Sequence, residues 1–207
     1  MLRIELPESF AENPNEYAAT LVPEMKASAK AFGAAVYTST KLSLREFEAG
    51  RLKIAQINGC IICQDWRSAR DVAPKYTVDG VRPKMVIDNG PAPDEPFYAD
   101  VELWRASSQF SMRERFVLEF AERFAEEPKV LAMDEDFWSR MGQSFSDAEV
   151  LDLAHCVTAW ITLGRIAHVL GFDTVCPLPS MVNADNASVV SEELSPLLTP
   201  RTSSRAE

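Results

Sequence analysis

The sequence predicts an all-α fold, and three observations carry that reading. The first is a repeated helix start. Ser43-Leu44-Arg45-Glu46, Ser111-Met112-Arg113-Glu114 and Ser146-Asp147-Ala148-Glu149 each place Ser three residues before Glu. This spacing makes a capping box, in which the hydroxyl and the carboxylate each satisfy a backbone N–H left free at a helix start. The second is apolar residues that recur at helical spacing through most of the chain. The third is the lack of any stretch that alternates cleanly enough to predict a strand. With 207 residues, 46% of them hydrophobic and 25% charged, the chain can bury a core and is not a disordered one.

Taken in order, residues 17–37 place Leu21, Met25, Ala29 and Phe32 at helical spacing, and Pro23 marks a first turn or a kink there. The Ser43 box opens a helix to about residue 57. Asn58-Gly59 ends it, and a second helix restarts over 60–70. Leu42 with Phe47, and Phe145 with Val150, have the spacing of hydrophobic staples. Prolines at 74, 83, 91, 93 and 96 predict a long surface loop over 74–100 instead of a helix. The last helix is expected over 147–169, stopped by Gly171. It is apolar over so much of its circumference that burial on several sides, or against another subunit, is expected. Residues 1–172 are expected to form a single all-helical domain. Residues 173–207 are expected to be a Pro/Ser-rich C-terminal extension with a frayed end at 199–207.

The charge balance excludes some functions. Thirty-one acidic against 21 basic side chains give −10, and no Lys/Arg run offers a phosphate backbone or an anionic lipid surface a footprint. Neither nucleic acid nor membrane is an expected partner. MLRIELPESF is not an apolar leader and no 18 apolar residues run together, so a cytoplasmic location is expected. The eight glycines form no dinucleotide or Walker loop, and no cofactor is expected. In this setting the four cysteines read as intracellular thiols, not a disulfide scaffold.

Two of them, Cys60 and Cys63, carry the chemistry. Three apart, they share one face of the predicted second helix. Cys60 falls in its first turn, where the dipole and free N–H groups stabilise a thiolate. One sulfur can attack and its neighbour can resolve the product as a disulfide. The plain alternative is two small apolar residues on a buried face. Zinc would need two more ligands, and His155 and Cys156 are adjacent and point roughly 100° apart on a helix, so no metal is expected. Glu46 is accounted for as a capping partner. Glu48 is not; it is either a buried functional carboxylate or a surface one paired with Arg45 or Lys53. His155 and His168, the two histidines of the chain, read as satisfied core or interface residues. Cys156 and Cys176 read as inert, and Trp66, Trp104, Trp138 and Trp160 as core or interface residues.

The run Leu42-Ser43-x-Arg45-Glu46-x-Glu48, followed by Ala55-Gln56-x-Asn58-Gly59-Cys60-x-x-Cys63, resembles the carboxymuconolactone decarboxylase-like superfamily in its alkylhydroperoxidase D branch. The resemblance spans about residues 15–172 and has its motifs within 42–67. It implies an all-α bundle that assembles into trimers or hexamers. It further implies a thiol-dependent peroxidase that reduces hydroperoxides and is reset by an external dithiol reductant. On that basis Cys63 is the peroxide-attacking thiol, Cys60 resolves it and Glu48 belongs to a proton relay. The family's His four residues after the second Cys is Arg67 here. A guanidinium stays charged and cannot shuttle a proton, though it can lower the Cys63 pKa from one helical turn away. Two alternatives stand beside this reading: a decarboxylase or lactone-processing enzyme acting on a small organic acid, and a non-catalytic helical oligomer.

Overall fold

A computed structural model describes residues 1–11 and 13–176, and the predicted fraying of 199–207 lies outside them. Ten α-helices and three short 3-10 turns make up the described chain. A single isolated bridge, Val78 to Val81, is its sole extended pairing. The helices are α1 (Pro14–Leu21), α2 (Pro23–Ser39), α3 (Leu44–Asn58), α4 (Ile61–Asp65) and α5 (Ser68–Tyr76). They continue as α6 (Glu95–Asp100), α7 (Met112–Glu126), α8 (Pro128–Leu131), α9 (Glu135–Gly142) and α10 (Asp147–Val169).

All three capping boxes form, at the starts of α3, α7 and α10. They also meet one another. Arg45, two residues past the first cap, donates to Glu114 of the second box at 2.7 Å. Arg113, two residues past the second cap, donates to Glu46 of the first at 2.5 Å and to Glu149 of the third at 2.8 Å. Further along, Gly50 of α3 meets Val117 of α7, and Lys53 pairs with Glu122 at 2.6 Å. The register advances in step, so α3 and α7 run parallel. α10 follows the same direction, from Glu149 beside Arg113 to Gly164 beside Asn58. α2 runs antiparallel to α10: Gly33 touches Leu163, and Thr40 bonds Asp152 at 2.9 Å.

Leu42, Phe47, Ile54, Val117, Phe120, Leu153, Val157 and Trp160 fill the core between these helices. Gly50 lets the Trp160 ring approach, because a Cβ there would stand 3.0 Å from the ring. Both predicted staples have their residues in this core or packed against it.

Pro23 occupies the first turn of α2, one of the two placements expected for it, and the break falls at Val22, with Leu21 and Met25 exposed. Two expectations need correction. Residues 74–100 are not one surface loop. Pro74 lies inside α5, and Pro96 in the first turn of α6, where the missing N–H has no intrahelical acceptor to lose. Met85, Val86, Phe97 and Tyr98 from this stretch are buried. The restart after Gly59 is not a single helix over 60–70: α4 ends at Asp65, Trp66 and Arg67 are extended, and α5 begins at Ser68.

α10 ends as expected, with Gly171 at φ +80° and its N–H on His168 O. Leu153, Cys156, Val157, Ala159, Trp160 and Gly164 face inward, while Leu151, Ile166 and Val169 stay exposed.

Candidate functional site

Cys60 sits where two helices hand over. α3 closes in a Schellman arrangement, with Gly59 at φ +71°, its N–H on Gln56 O at 3.0 Å and the Cys60 N–H on Ala55 O at 3.2 Å. The same residue is the N-cap of α4. Its Sγ accepts from Cys63 N at 3.3 Å, as a Ser or Asp oxygen does at other caps. Cys60 and Cys63 are joined as a disulfide, with their Cα atoms 5.3 Å apart. Cys60 is fully buried; Cys63 is half-buried and packs against the cluster of Ala49, Leu52, Phe97 and Tyr98. α6, from the proline-rich stretch, therefore closes one side of Cys63.

Glu48 lies behind this turn, fully buried, and neither Arg45 nor Lys53 is its partner. Arg51, one turn on, holds both its carboxylate oxygens, at 2.8 and 3.0 Å. Ser68 donates to it at 2.5 Å, and the Tyr98 hydroxyl bonds it as well. Burial alone would raise the Glu48 carboxyl, but Arg51, Ser68 and Tyr98 outweigh it and hold the carboxyl below its ordinary value. The remaining Arg51 N–H groups reach Cys63 O at 2.6 Å and Trp66 O at 2.7 Å. Through Arg51, Glu48 thus fastens the last turn of the Cys helix. Sequence reading passed over Arg51; its three-residue offset from Glu48 is the signal that pairs them.

Arg67 is not one helical turn beyond Cys63 on the same helix, as expected; it is the N-cap of α5. Its guanidinium meets both Glu95 oxygens at 3.1 Å, donates to Gln64 O and Trp66 O, and lies 4.0 Å over the Tyr98 ring. Its charge is paired with Glu95.

Neither histidine is a core residue. His155 is exposed on α10, with Nδ1 on Leu151 O at 2.7 Å. His168 is at the CxxC end of the same helix. Its ring lies against Gly59, where a Cβ would stand 3.0 Å from Nε2. Its Nδ1 pairs with Asp173 Oδ2 at 2.9 Å. The same oxygen accepts from Ile61 N at 3.3 Å, a free N–H of the α4 start. Asp173, just past the boundary drawn at 172, is buried against the body. Nothing local in the sequence marks this pair, because α10 and the CxxC turn meet only in the fold.

The other two thiols are poor nucleophiles. Burial, and then the nearby Asp152 carboxylate, push Cys156 up to about 12. Burial also raises Cys176. Among the described residues no cluster of His, Cys, Asp and Glu could hold a metal ion. Two surface hollows, one between Thr38 and Asn89 and one among Arg105, Glu122 and Glu127, include neither cysteine of the pair. No family model, curated protein or solved structure matches the chain.

Proposed function

We propose that this protein is a thiol–disulfide redox enzyme whose Cys60–Cys63 pair reduces hydroperoxides. The observation that carries the reading is the pair itself: a buried sulfur capping α4, bonded to a more open one on the next turn. In the reduced state the Cys63 thiolate attacks the outer peroxide oxygen and breaks the O–O bond, giving a Cys63 sulfenic acid and an alkoxide or hydroxide that takes its proton from solvent. The Cys60 thiol then displaces water from that sulfenic acid and the disulfide forms. An external dithiol supplies the two electrons that restore both thiols. The difference in exposure favours Cys63 as the attacking thiol and Cys60 as the resolving one. Arg51 and Glu48 hold the Cys63 carbonyl in place, and the ionised Glu48, with its donors, is available to the relay only as an acceptor.

The resemblance to the carboxymuconolactone decarboxylase-like superfamily supports this through Glu48, twelve residues before Cys60, and through the helix break before the pair. On the same grounds we infer a homo-oligomer of the trimeric or hexameric kind. One observation favours a decarboxylase or lactone-processing reaction instead: the position of the family His holds Arg67, engaged with Glu95.

The test is hydroperoxide consumption with dithiothreitol as reductant. Wild type is expected to turn over continuously with the reductant, and Cys60→Ser, given hydroperoxide without reductant, to consume about one equivalent and stop at a sulfenic acid that dimedone traps. Cys63→Ser is expected to consume none. A wild type that removes no hydroperoxide with any dithiol sinks the peroxidase reading. Activity on a small organic acid retained in the double Cys→Ser variant would establish the other.

A further inference from the structure

We propose that His168 and Asp173 act as a positioning pair that sets how readily Cys60 leaves as a thiolate when the disulfide is reduced, a role that rests on the redox reading of the Cys60–Cys63 pair. The geometry converges on the Gly59–Ile61 backbone from the far end of the chain. Asp173 Oδ2 bridges His168 Nδ1 and Ile61 N, while the imidazole covers Gly59. Asp173 is 1% exposed, and its other oxygen, Oδ1, is buried with no hydrogen-bond partner. A buried carboxylate with one idle oxygen is an unusual thing to place on the N–H that directly follows Cys60, whose sulfur must become an anion.

In the exchange, a thiolate of the external dithiol attacks the more open Cys63 Sγ. A new S–S bond forms there, the Cys60–Cys63 bond breaks, and its electron pair leaves on Cys60. The second thiol of the reductant then displaces Cys63 and closes its own ring, so two electrons and two protons pass to the pair. With neutral imidazole, the Asp173 charge opposes a Cys60 thiolate. With imidazolium, the pair is neutral overall, the α4 N–H groups favour the thiolate and Cys60 leaves faster.

The charged surroundings are few. Arg165, on α10, is turned to Asn58 Oδ1 at 3.0 Å. The amino group of Met1 and Arg3 arrive on the N-terminal segment, where Met1 O lies against Gly171 and Arg3 N bonds Leu170 O at 2.9 Å. Cys176 interacts electrostatically with Asp173 and with Lys26. Residues 56–64, the stretch on either side of the Gly59 that the imidazole covers, carry no charged side chain.

Two measurements on the full chain test the pair. The first is the rate of disulfide reduction by dithiothreitol, divided by the reductant's thiolate fraction, compared at pH 5.5 among wild type, His168→Gln and Asp173→Asn. His168→Gln is expected to be slower than wild type by about threefold to tenfold. The second is the thiolate absorbance of Cys60 in a Cys63→Ser background. Its midpoint is expected to drop with Asp173→Asn. His168 is half-exposed, so its variant keeps the test decisive if Asp173→Asn fails to fold. A rate unchanged by His168→Gln overturns the proposal. Peroxide turnover enters neither readout, so a chain inactive on peroxides still passes or fails here.

Discussion

Glu48 and Arg51 form a fully buried ion pair beneath the redox turn, and each depends on the other for its charge. Burial works against both charges, and their contact, with Ser68 and Tyr98, more than offsets it. Glu48→Gln leaves a buried guanidinium without its counter-charge. It is expected to lower unfolding stability by about 3–5 kcal/mol, read from urea denaturation. The cysteine pair was legible in sequence because three residues of one helix separate the two sulfurs, whereas Glu48 was tied to them only by the family resemblance. Arg51 was not legible, since a three-residue Glu–Arg offset reads as a surface pair unless the helix face is known to be buried. His168 and Asp173 were hidden for a different reason: their partner is a backbone stretch more than a hundred residues away.

At the level of elements, the capping boxes were readable because they are local, each complete within four residues. What they do together is not local. The glycines show how closely the elements sit: a Cβ on Gly164 would stand 2.5 Å from Asn58 Nδ2, which itself donates to Trp160 O at 3.0 Å. Gly164→Ala must push α10 off α3 or displace that bond, even though alanine is the better helix former. The expected net cost is about 1–3 kcal/mol, measured as a lowered midpoint in thermal unfolding. The misread proline stretch carries the complementary lesson. Prolines end helices in the interior but open them in the first turn, and counting them without asking which turn they occupy hides α6.

For the whole molecule, carboxylates held by cationic and N–H or O–H donors contribute an acid limit. Hydrogen bonds from Ser146, backbone and hydroxyl, and from Arg113 hold Glu149 down at about 2. Burial opposes ionisation of Glu122, but Arg105, Lys53 and Trp104 hold it at about 2 as well. Both are depressed from 4.5, so their stabilisation is complete above that pH and is lost as pH falls toward 2. The melting temperature is expected to drop through that window, and Glu149→Gln to shrink the drop.

The parallel course of α3 and α7 has a consequence in time. Parallel neighbours cannot be joined by a tight turn, so the chain must travel back along the bundle before the second helix begins. Arg45 with Glu114, and Arg113 with Glu46, span 69 and 67 residues of sequence. Neither exchange can form until that whole segment has folded back. The contacts that complete both helix starts are thus non-local, and they place this fold among slower-folding helical proteins than a bundle of simple hairpins. Cys60 and Cys63 lie on the first step of that return path, and neither takes part in the Arg45–Glu114 or Arg113–Glu46 pair that closes it.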